Sequence, residues 1–229
     1  MKRMARAGLV VTLACALVPA VARGAGSTPV PTTPRVPDAP RKTPAEQAVD
    51  HYNAGLRMLE RAAALETKAR GAAEEKKRAR YESKARSQYE RAIEELTLAT
   101  VKDTRFHQAF SSLGYARRRT GDHTAALAAY DRALSLAPDY PEAIEYRAEA
   151  LLGLGRTDEA RRAYITLFAS DRPRADQLLA AMEAWVEARG ADPRGLPSES
   201  VAEFRRWVDE RREIARNTPA TRRSDGGTW

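Results

Sequence analysis

Between residues 48 and 172 apolar side chains return every three or four positions, in short windows separated by Gly or Pro. That spacing predicts amphipathic helices joined by tight turns. The clearest window is HQAFSSLGYARRRTGDHTAALAAYDRALSLAPDY, residues 107–140. In it Gly121 supplies the stop of a first helix and Pro138 closes a second. Gly114 and Ala126 are small, so two antiparallel helices can approach closely there, and Phe110, Tyr130 and Ala133 are the predicted filling between this hairpin and its neighbours. The window 141–173 repeats the plan, with Ile144, Ala148 and Leu151 on a first helix, Gly155 at the turn, and Ala160, Tyr164 and Leu167 on a second. Between the windows, Pro141 and Glu142 put a proline in the first helical turn and an acid beside the positive end of the helix dipole.

Upstream, YERAIEELTLATVKD reads as a second helix through Ala92, Leu96 and Ala99, and HYNAGLRMLERA reads as its first-helix partner. The span from Gly55 to Ala92 is 25 residues longer than that from Gly114 to Ala126. The extra stretch is rich in Ala, Glu, Lys and Arg and holds no Pro, so both helices should lengthen, with the turn near residues 71–76. Thr43, Pro44 and Glu46 supply a cap, an N1 proline and a capping-box glutamate for the first helix. Downstream, Leu178, Leu179, Met182, Trp185 and Val186 recur at helical spacing. A last helix is expected near Ser198–Asn217, with Ser200 and Glu203 as its capping box and Val201, Phe204 and Val208 as its stripe, Trp207 flanking. Trp185 and Trp207 are expected to pack rather than to stack on a ligand.

Residues 107–140 resemble the tetratricopeptide repeat family in length and at its diagnostic sites. Phe110 stands in place of the usual Trp, followed by Leu113, Gly114, Gly121, Ala126, Tyr130, Ala133 and Pro138, while Arg117 replaces the second aromatic. Residues 141–173 resemble it more loosely, with Arg147 and Ala148 where the family has Leu-Gly. The resemblance implies an all-α fold, a short α-solenoid of about three helical hairpins, the first elongated, closed by C-terminal capping helices. The expected organisation is a signal peptide over 1–22, a Pro-rich disordered linker over 23–43, the elongated hairpin over 44–103, repeats over 104–140 and 141–173, capping helices over 174–216 and a disordered tail over 217–229.

In this family the ligand lies in a concave groove lined by the first helices. The resemblance therefore implies exposed groove sites at Tyr52 and Asn53, at Gln108, Ser111, Ser112, Tyr115 and Arg118, and at Glu142, Glu145, Tyr146 and Glu149. Such a groove is basic in the middle and acidic toward its C-terminal side. It departs from the carboxylate-clamp subfamily, which offers Lys and Arg where Glu142 and Tyr146 stand here. The implied function is a non-catalytic scaffold for protein–protein interaction, holding a partner segment through Tyr52, Tyr115 and Tyr146, with Arg118 and Glu149 selecting its charge pattern. The alternatives are a structural protein that self-associates, as a homo-oligomer, through the long hairpin or terminal helices, and an accessory domain recognising a cell-wall polymer.

Composition and charge add location and exclusions. Residues 1–24, MKRMARAGLVVTLACALVPAVARG, have a basic start, an apolar run over 7–18 and the small triplet Ala20, Val21, Ala22, the layout of a secretory signal cleaved after Ala22. Export to the periplasm or beyond is expected, in a bacterial-type cell envelope. Cys15, the single cysteine, leaves open a lipid anchor, and only then a membrane attachment. Prolines at 29, 31, 34, 37 and 40 favour an extended spacer. The formal charge is +8, of which Lys2, Arg3 and Arg6 lie in the leader. The remaining surplus is interleaved with Glu and Asp and lacks the massed basic face that nucleic acid requires. The inserted stretch of the first hairpin reads either as a solvated coil held by i,i+4 Glu/Lys pairs or as a basic arm meeting an acidic partner or an anionic surface. His51, His107 and His123 show no metal-ligand spacing, and no nucleophile, phosphate-loop or dinucleotide motif is present, so no metal, cofactor or enzymatic activity is expected.

Overall fold

A computed structural model describes residues 42–192 and 194–218. The expected leader with Cys15, the Pro-rich linker before residue 42 and the tail beyond residue 218 lie outside the described residues. These fold into eight α-helices, with no strand among the described residues: α1 (Pro44–Arg70), α2 (Glu75–Lys102), α3 (His107–Arg119), α4 (His123–Leu136), α5 (Pro141–Gly153), α6 (Thr157–Ser170), α7 (Arg172–Ala191) and α8 (Ser198–Asn217). Consecutive helices pair as antiparallel hairpins. In addition α1 touches α3, α3 touches α5 and α5 touches α7, so the first helices form an inner layer and α2, α4 and α6 an outer one.

Local chemistry explains most of the boundaries. Thr43 and Glu46 form the expected capping box, the Glu46 amide donating to Thr43 Oγ1 at 3.2 Å and the Thr43 amide donating to Glu46 Oε2 at 2.7 Å. Such a cap contributes about 1 kcal/mol. Gly121 and Gly155 follow α3 and α5 with φ of 91° and 73°, the left-handed conformation that lets the chain reverse into the next helix. Asp122 and Asp171 cap α4 and α7 by accepting from the amides of Ala125 and Arg174. One expected cap does not form. The helix α8 starts behind Pro197 at Ser198, which places Ser200 inside the first turn, and Glu203 pairs instead with Arg161 at 3.1 Å.

Close helix contacts are made at glycine. A Cβ added at Gly114 would lie 2.7 Å from the Tyr130 ring of the paired helix, and one at Gly55 would lie 2.6 Å from Leu96. The partner of Gly114 is thus the buried Tyr130 ring. Tyr130, Ala133, Ala148, Leu151, Ala160, Tyr164 and Leu167 are all buried in one continuous core that extends through Leu178, Met182 and Trp185 to Phe204 and Val208. Trp185 donates from Nε1 to the Leu152 carbonyl at 2.6 Å, and Trp207 stacks on Phe204 with ring centroids 6.0 Å apart, so both tryptophans pack the closing hairpin.

The elongated hairpin is held differently from the expected i,i+4 Glu/Lys pairs. Its buried small residues are Ala48, Gly55, Ala62 and Ala69 on α1, with Ala85, Ala92 and Ala99 on α2, each series spaced by seven, and Tyr89, Leu96 and Thr100 are buried beside the α2 series. A heptad of small residues lets two antiparallel helices approach along their whole length. Its i,i+3 and i,i+4 ion pairs among the described residues are Glu75 with Arg78 and Arg86 with Glu90, both exposed and worth a few tenths of a kcal/mol. Small-residue packing, not charge pairing, sets this geometry.

Replacing Gly114 by Ala should therefore lower unfolding stability by about 1–3 kcal/mol despite the better helix propensity of Ala, because the Tyr130 ring must shift. Gly71→Ala, where the backbone is right-handed helical and an added Cβ meets nothing nearer than the Thr67 carbonyl oxygen at 3.7 Å, should be stabilising by up to about 1 kcal/mol. Urea unfolding of the two variants checks the contrast.

Candidate binding groove

The inner layer of α1, α3, α5 and α7 carries the side chains expected to meet a ligand, and the structure divides them into two clusters. At one edge the Tyr52 ring lies 4.7 Å from Phe106, the residue preceding α3, and His107 meets Tyr140 edge-on at 5.1 Å. Tyr140 donates its hydroxyl proton to Glu142 at 2.7 Å, and burial pushes its phenol pKa up. Asn53 and Gln108 belong to this part of the layer in sequence, Asn53 exposed and Gln108 half-buried.

The second cluster lies deeper along the helices. Tyr115 and Tyr146 stand with ring centroids 5.2 Å apart, and the Arg118 guanidinium carbon is 5.4 Å from each centroid. Arg118 Nη1 donates to Glu149 Oε2 at 2.5 Å. Beyond it, Arg174 of α7 donates to Glu145 at 2.6 Å, and its guanidinium carbon lies 5.8 Å from the Tyr146 ring centroid. On the near side Tyr89 of α2 approaches Tyr115 at 6.2 Å and donates to Glu66 at 3.0 Å, and Glu66 also pairs with Arg119. A continuous run of alternating aromatics and ion pairs thus ties α1, α2, α3, α5 and α7 together. The Arg118 charge is answered by the Glu149 carboxylate and by two aromatic faces, while its Nε is buried with no hydrogen-bond partner among the described residues.

Two groove sites expected to be exposed are buried: Ser111 at 3% and Glu145 at 4% exposure. They are 34 residues apart and hold the same place in successive hairpins. That place looks sideways into the next first helix rather than into the groove, which is why Glu145 meets Arg174. Burial raises the Glu145 carboxyl pKa, and the Arg174 hydrogen bond opposes the rise. Ser112, Tyr115, Glu142, Tyr146, Arg118 and Glu149 keep partial exposure. Glu66, Phe106, Tyr140, Arg119 and Arg174 were absent from the sequence expectation. Tyr89 was also missed, although it lies seven residues before Leu96 on the same buried stripe.

Residues 118–182 match the tetratricopeptide repeat family. The match runs from Arg118 in the last turn of α3, through α4, α5 and α6, to Met182 within α7. It includes Arg118, Tyr146, Glu149, Glu145 and Arg174, the core of the second cluster. Tetratricopeptide repeats suggest a scaffold for protein–protein interaction, and they are typically non-catalytic. A comparison with curated proteins finds no match to this chain. Among the described residues no group of three His, Cys, Asp or Glu side chains could hold a metal ion, and no helix is long and apolar enough to cross a membrane.

The three histidines have separate settings. His51 Nδ1 lies 2.8 Å from Glu95, His107 packs on Tyr140, and the His123 ring fills the space above Gly153, where an added Cβ would lie 2.5 Å from it. His123 Nδ1 is buried and meets no hydrogen-bond partner among the described residues. Burial, reinforced by the Arg118 charge, holds its pKa below the usual 6.5. As pH falls through about 6.5 the unfolded chain takes up a proton that the folded chain refuses, so stability present above that pH is lost on acidification. Urea midpoints for the unsubstituted chain should fall more between about pH 7.5 and 5.5 than those of His123→Gln. Parallel profiles would show that His123 carries no such linkage.

Proposed function

We propose that this chain is an exported, non-catalytic scaffold that binds a segment of a partner protein in a bacterial-type cell envelope. Export rests on the basic start, apolar run and small triplet of residues 1–22, with a lipid anchor at Cys15 as the alternative mode of retention. Partner binding rests on the tetratricopeptide match and on one observation above the rest, the partly exposed Tyr115, Arg118 and Tyr146 group in the inner layer. Rigid aromatics give contact area at low entropic cost, which suits a binding surface.

The pairing of Arg118 with Glu149 and of Arg174 with Glu145 alters what the groove selects. Its charges are answered within the protein, so Tyr115 and Tyr146 recognise apolar or aromatic side chains of the segment, while Asn53, Gln108, Ser112 and Glu142 offer hydrogen bonds along the rim. Tyr52, held against Phe106, serves a separate subsite at the other edge.

Pulldown from envelope extract with the Tyr115→Ala, Tyr146→Ala double variant tests this reading. Loss of these two anchors should weaken capture by about 30-fold or more, the scale of a hot-spot truncation. Capture by the unsubstituted groove should persist at about 0.5 M salt, because screening leaves an aromatic contact largely untouched. An unchanged set of captured proteins in the double variant would refute the groove as the binding surface.

A further inference from the structure

We propose that the free end of the α1/α2 hairpin docks on a membrane surface bearing anionic phospholipid headgroups. The body of the repeat reaches only part of the way along this hairpin. Among the described residues its hydrogen bonds and ion pairs nearest the free end are the Arg119 pair with Glu66 and the hydrogen bond from Arg86 to the Thr120 carbonyl at 3.2 Å, and Arg119 shares a surface cavity with Arg78 and Glu82. Residues 67–85 continue past that level and project about 15 Å, ten residues of helical rise.

Seven Lys or Arg and three Glu fall in this end, a net charge of +4, and all ten side chains are exposed. Among the described residues the ion pair formed within it is Glu75 with Arg78. Lys76, Lys77, Arg80 and Lys84 lie within about 100° of one another around α2, with the half-buried Tyr81 beside them. A cluster of this number of cations on a helical surface is what anionic lipid attracts, and a flanking tyrosine suits the membrane–water boundary.

Other partners fit less well. The end contains no Leu, Ile, Val, Phe, Trp or Met, so it offers a protein partner no apolar centre to desolvate. Its strongest stripe is about 12 Å long, spans few phosphates and has no row of aromatics for bases to stack on. A planar anionic surface, in contrast, engages a projecting end whose charges are otherwise uncompensated.

The groove plays no part in this contact, and the Tyr115→Ala, Tyr146→Ala variant should retain it. The full chain is mixed with phosphatidylcholine vesicles, with and without about one-third phosphatidylglycerol, and lysine reactivity is mapped by acetylation and mass spectrometry. Neutral vesicles report whatever the apolar run 7–18 contributes alone. Lys76, Lys77 and Lys84 should be protected on anionic vesicles and not on neutral ones, while Lys102 at the other end of α2 stays reactive. Changing Lys76, Lys77, Arg80 and Lys84 to Gln should reduce the preference for anionic vesicles by on the order of a thousandfold. The same charge loss at exposed Arg57, Arg91, Lys102 and Arg105 should leave it within a few fold. Three results would overturn the proposal: equal protection on both vesicle types, equal loss of preference in the two charge variants, or stronger protection of these lysines by a short DNA duplex.

Discussion

A bare Cα set against a large side chain of the opposing helix is the contact on which these hairpins close. At Gly114 the neighbour is the Tyr130 ring and at Gly55 it is Leu96, both within 3 Å of where a Cβ would be. In the next hairpin Ala148 and Tyr164 hold the places of Gly114 and Tyr130, and both are buried. The spacing set there propagates inward. Because Tyr130 is pinned against Gly114, Tyr146 of the following hairpin comes to 6.5 Å from Tyr130 and 5.2 Å from Tyr115. The aromatic centre of the groove therefore depends on a glycine that never touches a ligand.

The long hairpin applies the same constraint over a greater length. A seven-residue series of alanine and glycine keeps one narrow stripe of each helix small, and the charged residues outside it are left largely to solvent. Tyr89 and Leu96, buried between the alanines, are the large side chains that fill the gap where the body of the repeat packs alongside. Toward the end of the hairpin only Ala69, Ala72 and Ala85 are buried, so charged residues there answer to no packing requirement. Their sign is consequently open to selection by whatever the end meets, which separates this segment from the groove, where each arginine has a packing role.

How much of this was legible follows from the range of each interaction. The turns at Gly121 and Gly155, the cap at Thr43 and Glu46 and the core at Tyr130, Ala133, Tyr164 and Leu167 depend on residues within one or two turns, and the spacing of apolar and small residues displays them. Ser200 and Glu203 have the right spacing for a capping box, but the helix begins two residues before that Ser and the pattern cannot show it. The spacing puts the candidate groove residues on the first helices, where the structure has them, but it does not display which of them are buried or what they pair with. Arg118 meets Glu149 across 31 residues, Arg174 meets Glu145 across 29, and Arg119 meets Glu66 across 53. Such pairs are created by the rotation of one hairpin upon the next, which leaves no periodic trace in the chain. The same rotation buries Ser111 and Glu145, which a single helix would place on its open face.

This rotation bears directly on what the groove can accept. Arg118 sits between two tyrosine rings and a carboxylate, with its side chain 11% exposed, so its charge is answered by Glu149 inside the protein even though its Nε is buried with no hydrogen-bond partner among the described residues. A ligand carboxylate approaching it would have to displace Glu149, exchanging one charge-assisted hydrogen bond for another while leaving Glu149 near the groove without its cation. Displacement of that kind returns little net free energy and adds repulsion between two acids. The absence of the carboxylate-clamp pattern at Glu142 and Tyr146 is thus matched by an internal acid at Glu149. In the proposed binding mode both features bias the groove against acidic chain ends and toward segments that present rings or aliphatic side chains to Tyr115 and Tyr146.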